Sequence, residues 1–143
     1  MSKLRHYFEI SSFGIYDSWD EKSKALPNIK SFTTKIPAQL DIEFGFILNV
    51  KKAKGKCLEW AIHHPNIHDK KGRPMEPFEG EVYVRNNDWD FYLGDTIWSP
   101  VDDKVGDWHM LIKCDGKVVA EKVFDVAIEH GDGEVQFWKR RGF

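Results

Sequence analysis

The residue pattern predicts an all-β fold, an antiparallel β-sandwich of about seven to eight strands, and three observations carry that prediction. Residues 39–52 place Leu40, Ile42, Phe44, Phe46, Leu48 and Val50 at every second position, with Asp41, Glu43, Gly45 and Asn49 between them. That is the period of a strand with one buried face, not of a helix, whose apolar positions recur at three and four. Residues 80–98, GEVYVRNNDWDFYLGDTIW, alternate strand-forming aromatics with turn-forming Asn, Asp and Gly. Turn signals elsewhere separate further apolar runs at spacings of roughly 8–12 residues, as sandwiches require.

Taken in order, residues 7–17 read as a first strand, interrupted at Ser11-Ser12 and at Gly14. Residues 18–31 are polar and Lys-rich with Pro27 near their end, a long connection that accommodates one short helical turn at 20–25. After the strand at 39–52, residues 53–56 (AKGK) turn the chain. Residues 57–64 form the next strand, with Leu58, Trp60 and Ile62 inward and Glu59, Ala61 and His63 outward. Pro65, Gly72, Pro74 and Pro77 make 65–77 a loop. Residues 81–85, 91–93 and 96–98 read as short strands divided at 86–88 and at 94–95, and 99–106 as an acidic loop.

The last two strands, 108–113 and 117–126, flank Cys114-Asp115-Gly116. A two-residue Asp-Gly loop would put Lys117 and Glu121 on the face of Trp108, Met110 and Ile112. A three-residue loop with Gly116 in the left-handed conformation groups those three with Val118, Ala120, Phe124 and Val126. One residue of slip exchanges the faces, so burial selects the three-residue loop. Lys122 is the misfit on that face, its stem expected over Trp108. Cys114 falls in the turn, and two free thiols are expected. Residues 1–126 are read as one sandwich domain. Residues 127–143 form a tail or an extra edge strand around Val135–Trp138, with Lys139, Arg140 and Arg141 discouraging edge pairing.

Composition bounds the partners. The chain has 143 residues with ten Phe, six Trp and four Tyr, an aromatic supply that can build a core without staples. Its net charge of −2 offers no basic excess for a phosphate backbone, so nucleic acid is not expected. The first residues, MSKLRHYFEISSFGIYD, show no apolar run of a leader, and no stretch approaches the ~20 apolar residues of a membrane span. Cytoplasmic residence is the resulting expectation, and two cysteines agree with it.

Three constellations compete for a site. His63, His64 and His68 with Asp69 suggest a metal cluster, yet adjacent residues of a strand point to opposite faces, so His63 and His64 cannot both join it. Asn86, Asn87, Asp88, Asp90 and Asp95 are rich in oxygen but lack the spacing of a calcium loop, and capping of turns by their own side chains is preferred. Trp89, Phe91, Tyr92 and Trp98 could stack a sugar or a peptide. Most of these rings are expected in the core, leaving Arg85, Asp90 and Tyr92 as the surface candidates. No nucleophile–base motif or phosphate loop occurs, and no cofactor is implied.

The segments SSFGIYD (11–17), FTTKIPAQLDIEFGFILNVKKAKG (32–55), PFEGEVYVRNNDWDFYLGDTIW (77–98) and DGKVVAEKVFDV (115–126) resemble an uncharacterised bacterial domain family. The resemblance spans most of residues 7–126 and implies an immunoglobulin-like β-sandwich with no assigned activity. The expectation drawn from all of this is a non-catalytic module that binds a protein, peptide or glycan through Arg85, Asn86, Asn87, Asp88, Asp90 and Tyr92. Alternatives are a structural homo-oligomer organised by the tail, and a metal-dependent enzyme centred on His68 and Asp69.

Overall fold

In a computed structural model, residues 6–17 and 25–128 are described, and among them nine strands and one 3-10 turn form two facing sheets. The strands are β1 (Tyr7–Tyr16), β2 (Ile29–Ser31), β3 (Lys35–Pro37), β4 (Glu43–Lys51), β5 (Cys57–His63), β6 (Phe78–Tyr83), β7 (Asp88–Thr96), β8 (Gly106–Cys114) and β9 (Lys117–Ala127). The 3-10 turn, Asp102–Lys104, lies between β7 and β8. One sheet runs β2-β1-β4-β7 and the other β3-β9-β8-β5-β6. Every pairing is antiparallel except β3 with β9, whose parallel register is reached by a long crossover.

The core forms where inward residues of β4 meet those of β8 and β9. Phe44 packs edge-on against Trp108 at 5.3 Å and against Phe124 at 5.5 Å between ring centroids. Phe46, Leu48, Leu58, Ile62, Met110 and Ile112 complete the same buried cluster. Burying rings of this size removes about 150–250 Å² each from water, which makes them the largest apolar contribution to stability.

The period-2 run of β4 behaves as read over 43–51 but not before it. Asp41 adopts a left-handed conformation (φ 69°) that breaks the extended backbone, so the strand begins at Glu43 and Leu40 is 53% exposed. Nor is β4 buried on one face only. Glu43 and Ile47 are covered on the outer side, where Ile47 joins Tyr16 and Tyr92 in a second small cluster packed by Leu26 and Ile29. Part of the segment taken as a connection therefore includes an edge strand, β2, paired with β1. The helical turn expected at 20–25 falls largely on residues 18–24, outside the described residues, and so does the tail strand around 135–138.

Two turn signals and one strand limit differ from expectation. Gly94-Asp95 does not divide a strand, because β7 pairs with β4 in unbroken register from Asp88 to Thr96. Gly94 leaves room for a ring: a Cβ there would lie 2.1 Å from the Tyr92 hydroxyl oxygen. Residues 78–83, not 81–85, form the preceding strand. In the last hairpin Cys114 pairs with Lys117, so the loop is the two-residue Asp115-Gly116, both residues left-handed (φ 55° and 81°). This is the primed turn whose twist suits a hairpin.

A bulge between Ile112 and Lys113, opposite Val118 to Ala120, then shifts the register by one. Trp108, Met110 and Ile112 thereby share a face with Ala120, Phe124 and Val126, as burial demands, while Val118 is 47% exposed instead of inward. Lys122 lays its ammonium 4.0 Å from the Phe13 ring centroid, not over Trp108. Cys114 closes β8 as a buried residue and Cys57 lies on β5, both as free thiols.

Trp89 and Phe91 stack at 5.7 Å, half-buried against the core. Replacement of Trp89 by Ala is expected to cost about 3 kcal/mol, the low end for a large core aromatic, as read by urea denaturation. A cost below about 1 kcal/mol would show the ring to be a surface group.

Candidate functional site

The turn from Arg85 to Asp90 is held by polar groups of β4 and of the turn after it. Asn49 on β4 donates from Nδ2 to Asp88 Oδ1 (3.0 Å) and to Asp90 Oδ1 (2.8 Å), fastening both carboxylates across the strand pair. Asn87 Oδ1 accepts from the Lys54 amide at 3.2 Å. Arg85 and Asn86 are exposed beside them. Tyr92 does not belong with this set. It is 4% exposed on the outer face of β7, and its hydroxyl donates to Glu43 Oε2 at 2.5 Å. Tertiary packing roofs that face with Tyr16, Leu26 and Ile29, which alternation within one strand could not reveal.

The histidine loop is likewise committed to structure. His64 turns both ring nitrogens to carbonyl oxygens, Pro65 O at 2.7 Å and Glu76 O at 2.9 Å, which ties the two ends of the 65–77 loop together. Asp69 Oδ1 accepts from the amides of Lys71 (2.8 Å) and Arg73 (3.0 Å), and these bonds hold its carboxyl below the usual carboxylate range. His63 points to the opposite side from His64, beside His109 at 6.0 Å between ring centroids. Among the described residues no group of three or more His, Cys, Asp or Glu is placed to hold a metal ion.

Three further polar groups are drawn into the fold: Glu43, read from the sequence as an outward strand residue, Asp95, read with the oxygen-rich turn, and Lys104, within the loop read as acidic. Glu43 accepts from Tyr92 and from Thr96 Oγ1 (2.5 Å), and burial raises its pKa. Asp95 lies next to the end of β7, where burial raises its pKa to about 6 against the bond from the Thr96 amide and the weaker pull of His64 and Lys104. Lys104 is itself fully buried within the loop read as acidic. Its ammonium donates to Pro100 O (2.7 Å) and Asp103 Oδ1 (2.5 Å) and sits 4.3 Å from the Trp98 ring centroid. Such partners make a buried charge tolerable. Burial raises the pKa of both thiols, so neither cysteine is a poised thiolate nucleophile.

A further depression lies on the outer face of β5, β6 and β8. Ala61 sits near the middle of that face, paired with Leu111 on one side and Glu79 on the other. Its neighbours along β5 are Glu59 and His63. A single methyl ringed by long side chains leaves a groove of about 500 Å³, rimmed by Glu59, Glu79, Glu81 and Lys113 and reached by Trp60. Glu59 and Glu81 stand directly opposite one another across the strand pair. Like charges so placed repel. Among the described residues none of the three glutamates is in an ion pair. Alternation in β5 already marked Glu59, Ala61 and His63 as outward; the signal missed was that the smallest of them sits between larger ones. A smaller depression of about 300 Å³ lies against the 65–77 loop, lined by His63, His64, Met75 and neighbouring prolines.

The sequence profile of the family described as Domain of unknown function (DUF3859) matches residues 4–126. The chain belongs to this family. The family match spans all nine strands save Ala127, so it includes the whole groove and stops short of the tail. Among solved structures, the fold is similar to an immunoglobulin-like protein from Pseudomonas aeruginosa. The TM-score is 0.69 at 19% identity, over 89% of this chain and 100% of that one. That likeness makes this DUF3859 domain an immunoglobulin-like sandwich. No curated protein matches the chain. No helix among the described residues is long and apolar enough to cross a membrane.

Because Asp95 binds its proton more tightly when folded, its ionisation opposes folding. The penalty is absent below the ordinary pKa of 3.8, grows as pH rises toward about 6, and is constant above that. Asp95→Asn keeps an acceptor for the Thr96 amide, which now bonds Asp95 Oδ1 at 2.8 Å. The variant should match the parent near pH ~4 and exceed it by on the order of 2 kcal/mol above pH ~7. Urea titrations across that range test this, and a difference independent of pH would contradict it.

Proposed function

We propose that this DUF3859 domain is a non-catalytic binding module that takes a peptide, protein or glycan segment in the groove over Ala61. The observation that carries the reading is the groove itself: an open concavity on a rigid sheet, with small and apolar groups at its floor and charged groups at its rim. The polar groups inside the fold support it from the other direction, since Glu43, Asp69, Lys104 and His64 hold loops and strands together through the bonds described above. The Arg85–Asp90 turn, whose side chains are bonded to Asn49 and Lys54, ranks second as a contact region. A bacterial cytoplasmic setting goes with the reading, supported by the two free thiols.

A second reading, self-assembly organised by the C-terminal residues, draws on Ile128, which is 54% exposed where β9 ends. Removal of residues 128–143 would then turn an oligomer into a monomer in sedimentation, and an unchanged mass would dismiss it.

For the groove, the test is a panel of peptides and glycans followed by amide chemical shifts. Shifts should concentrate at 59–63, 79–81 and 111–113. Ala61→Leu fills the concavity from the solvent side. The variant should keep the fold within about 1 kcal/mol, because the added atoms lie outside the core, and weaken binding at least ~10-fold. Shifts centred on 85–90 and indifferent to Ala61→Leu would move the site to the turn.

A further inference from the structure

The groove adjoins a strand with one side of its backbone open. β6 ends the order of its sheet, so among the described residues no strand pairs with its outer edge. Its side chains divide into two opposed sets: Glu79 and Glu81 face outward on the groove rim, while Phe78, Gly80 and Val82 face inward and are only half-buried. Trp60 extends the inward set, because its indole lies across Gly80, where a Cβ would come within 2.6–2.9 Å of the ring. An extended chain laid along β6 would continue both faces of the sheet. Every second residue would sit beside Glu79 and Glu81, and the alternate residues would cover Trp60, Phe78 and Val82.

The charges select among possible occupants. A second copy joined through β6 would set Glu79 and Glu81 against their own copies. Of the other end strands, β2 and β3 have three residues each, too few to pair along the six of β6, and a copy joined through β7 would set Glu79 and Glu81 against Asp88 and Asp90. Both arrangements place acid beside acid. We infer that the β6 edge receives an added strand from a different polypeptide, in which Lys or Arg alternates with apolar residues. This rests on the reading of the outer β5–β6–β8 face as the binding surface and names its partner class.

The test uses a blocked seven-residue peptide alternating Lys with Val, and an isomer with the same residues in blocks. Calorimetry should show the alternating peptide binding at least ~10-fold tighter, and amide exchange should slow across 78–83. Glu79 and Glu81 are exposed, so Glu79→Lys/Glu81→Lys should fold, lose the Lys–Val peptide and gain an alternating Glu–Val one. Equal binding of the two isomers, no binding of either, or protection confined to β7 would overturn the added strand. Equal binding that Ala61→Leu still abolishes would leave the groove reading in place. Strand-specific binding indifferent to Ala61→Leu would uphold the added strand and overturn the groove.

Discussion

The contact of Trp108 with Phe44 and Phe124 is the constraint on which the other features depend. Trp108 is fully buried between the sheets and donates its indole N–H to Lys104 O at 2.8 Å. One side chain thus joins the apolar core to the loop that carries the buried ammonium. With Trp108 inward, strand alternation makes Met110 and Ile112 inward as well, and turns His109, Leu111 and Lys113 outward. Pairing then aligns β5 against β8, so that Ala61 meets Leu111 on the outer face. The groove is a consequence of the core's register.

The same register explains why the fold accepts polar groups in its interior. Glu43, Asp95 and Lys104 are each close to a strand end or a connecting loop, where main-chain bonds run out and side chains must complete the bonding. Glu43 supplies an acceptor to hydroxyls of Tyr92 and Thr96, and Lys104 supplies donors to a carbonyl and a carboxylate. These groups fasten the ends of the sandwich and are spent in doing so. What remains open to a partner is the sheet surface and its unpaired edges. That surface sets Glu59 between Glu81 on β6 and Lys113 on β8 and leaves Glu79 opposite Ala61, an excess of negative charge that a bound basic group would relieve.

Much of this was legible in the residues, because period 2 is a property of one strand and needs no knowledge of its neighbours. The inward sets of β4, β5 and β8 follow from it. So does the outward placement of Ala61, and the separation of His63 from His64. The polar character of Asn87, Asp88 and Asp90 was legible but their partners were not: they bond Lys54 and Asn49, which strand pairing brings near, instead of capping their own turn. Strand limits were less so. Asp41 ended β4 early through a backbone conformation, while Gly94, a turn residue by composition, served to seat the Tyr92 ring.

By itself the sequence determined the all-β class, the faces of the long strands and the balance of charge, since each depends on residues close along the chain. Tertiary structure alone decided what covers the outer face. The roof over Tyr92 comes from residues more than sixty positions earlier, and the open edge of β6 exists because β5 pairs with β8 on its other side. The hairpin shows the division most plainly. Burial dictated which residues share a face, and the backbone met that demand with a two-residue turn and a bulge instead of a longer loop. Both solutions satisfy the same hydrophobic pattern, and only the twist and pairing of the assembled strands choose between them.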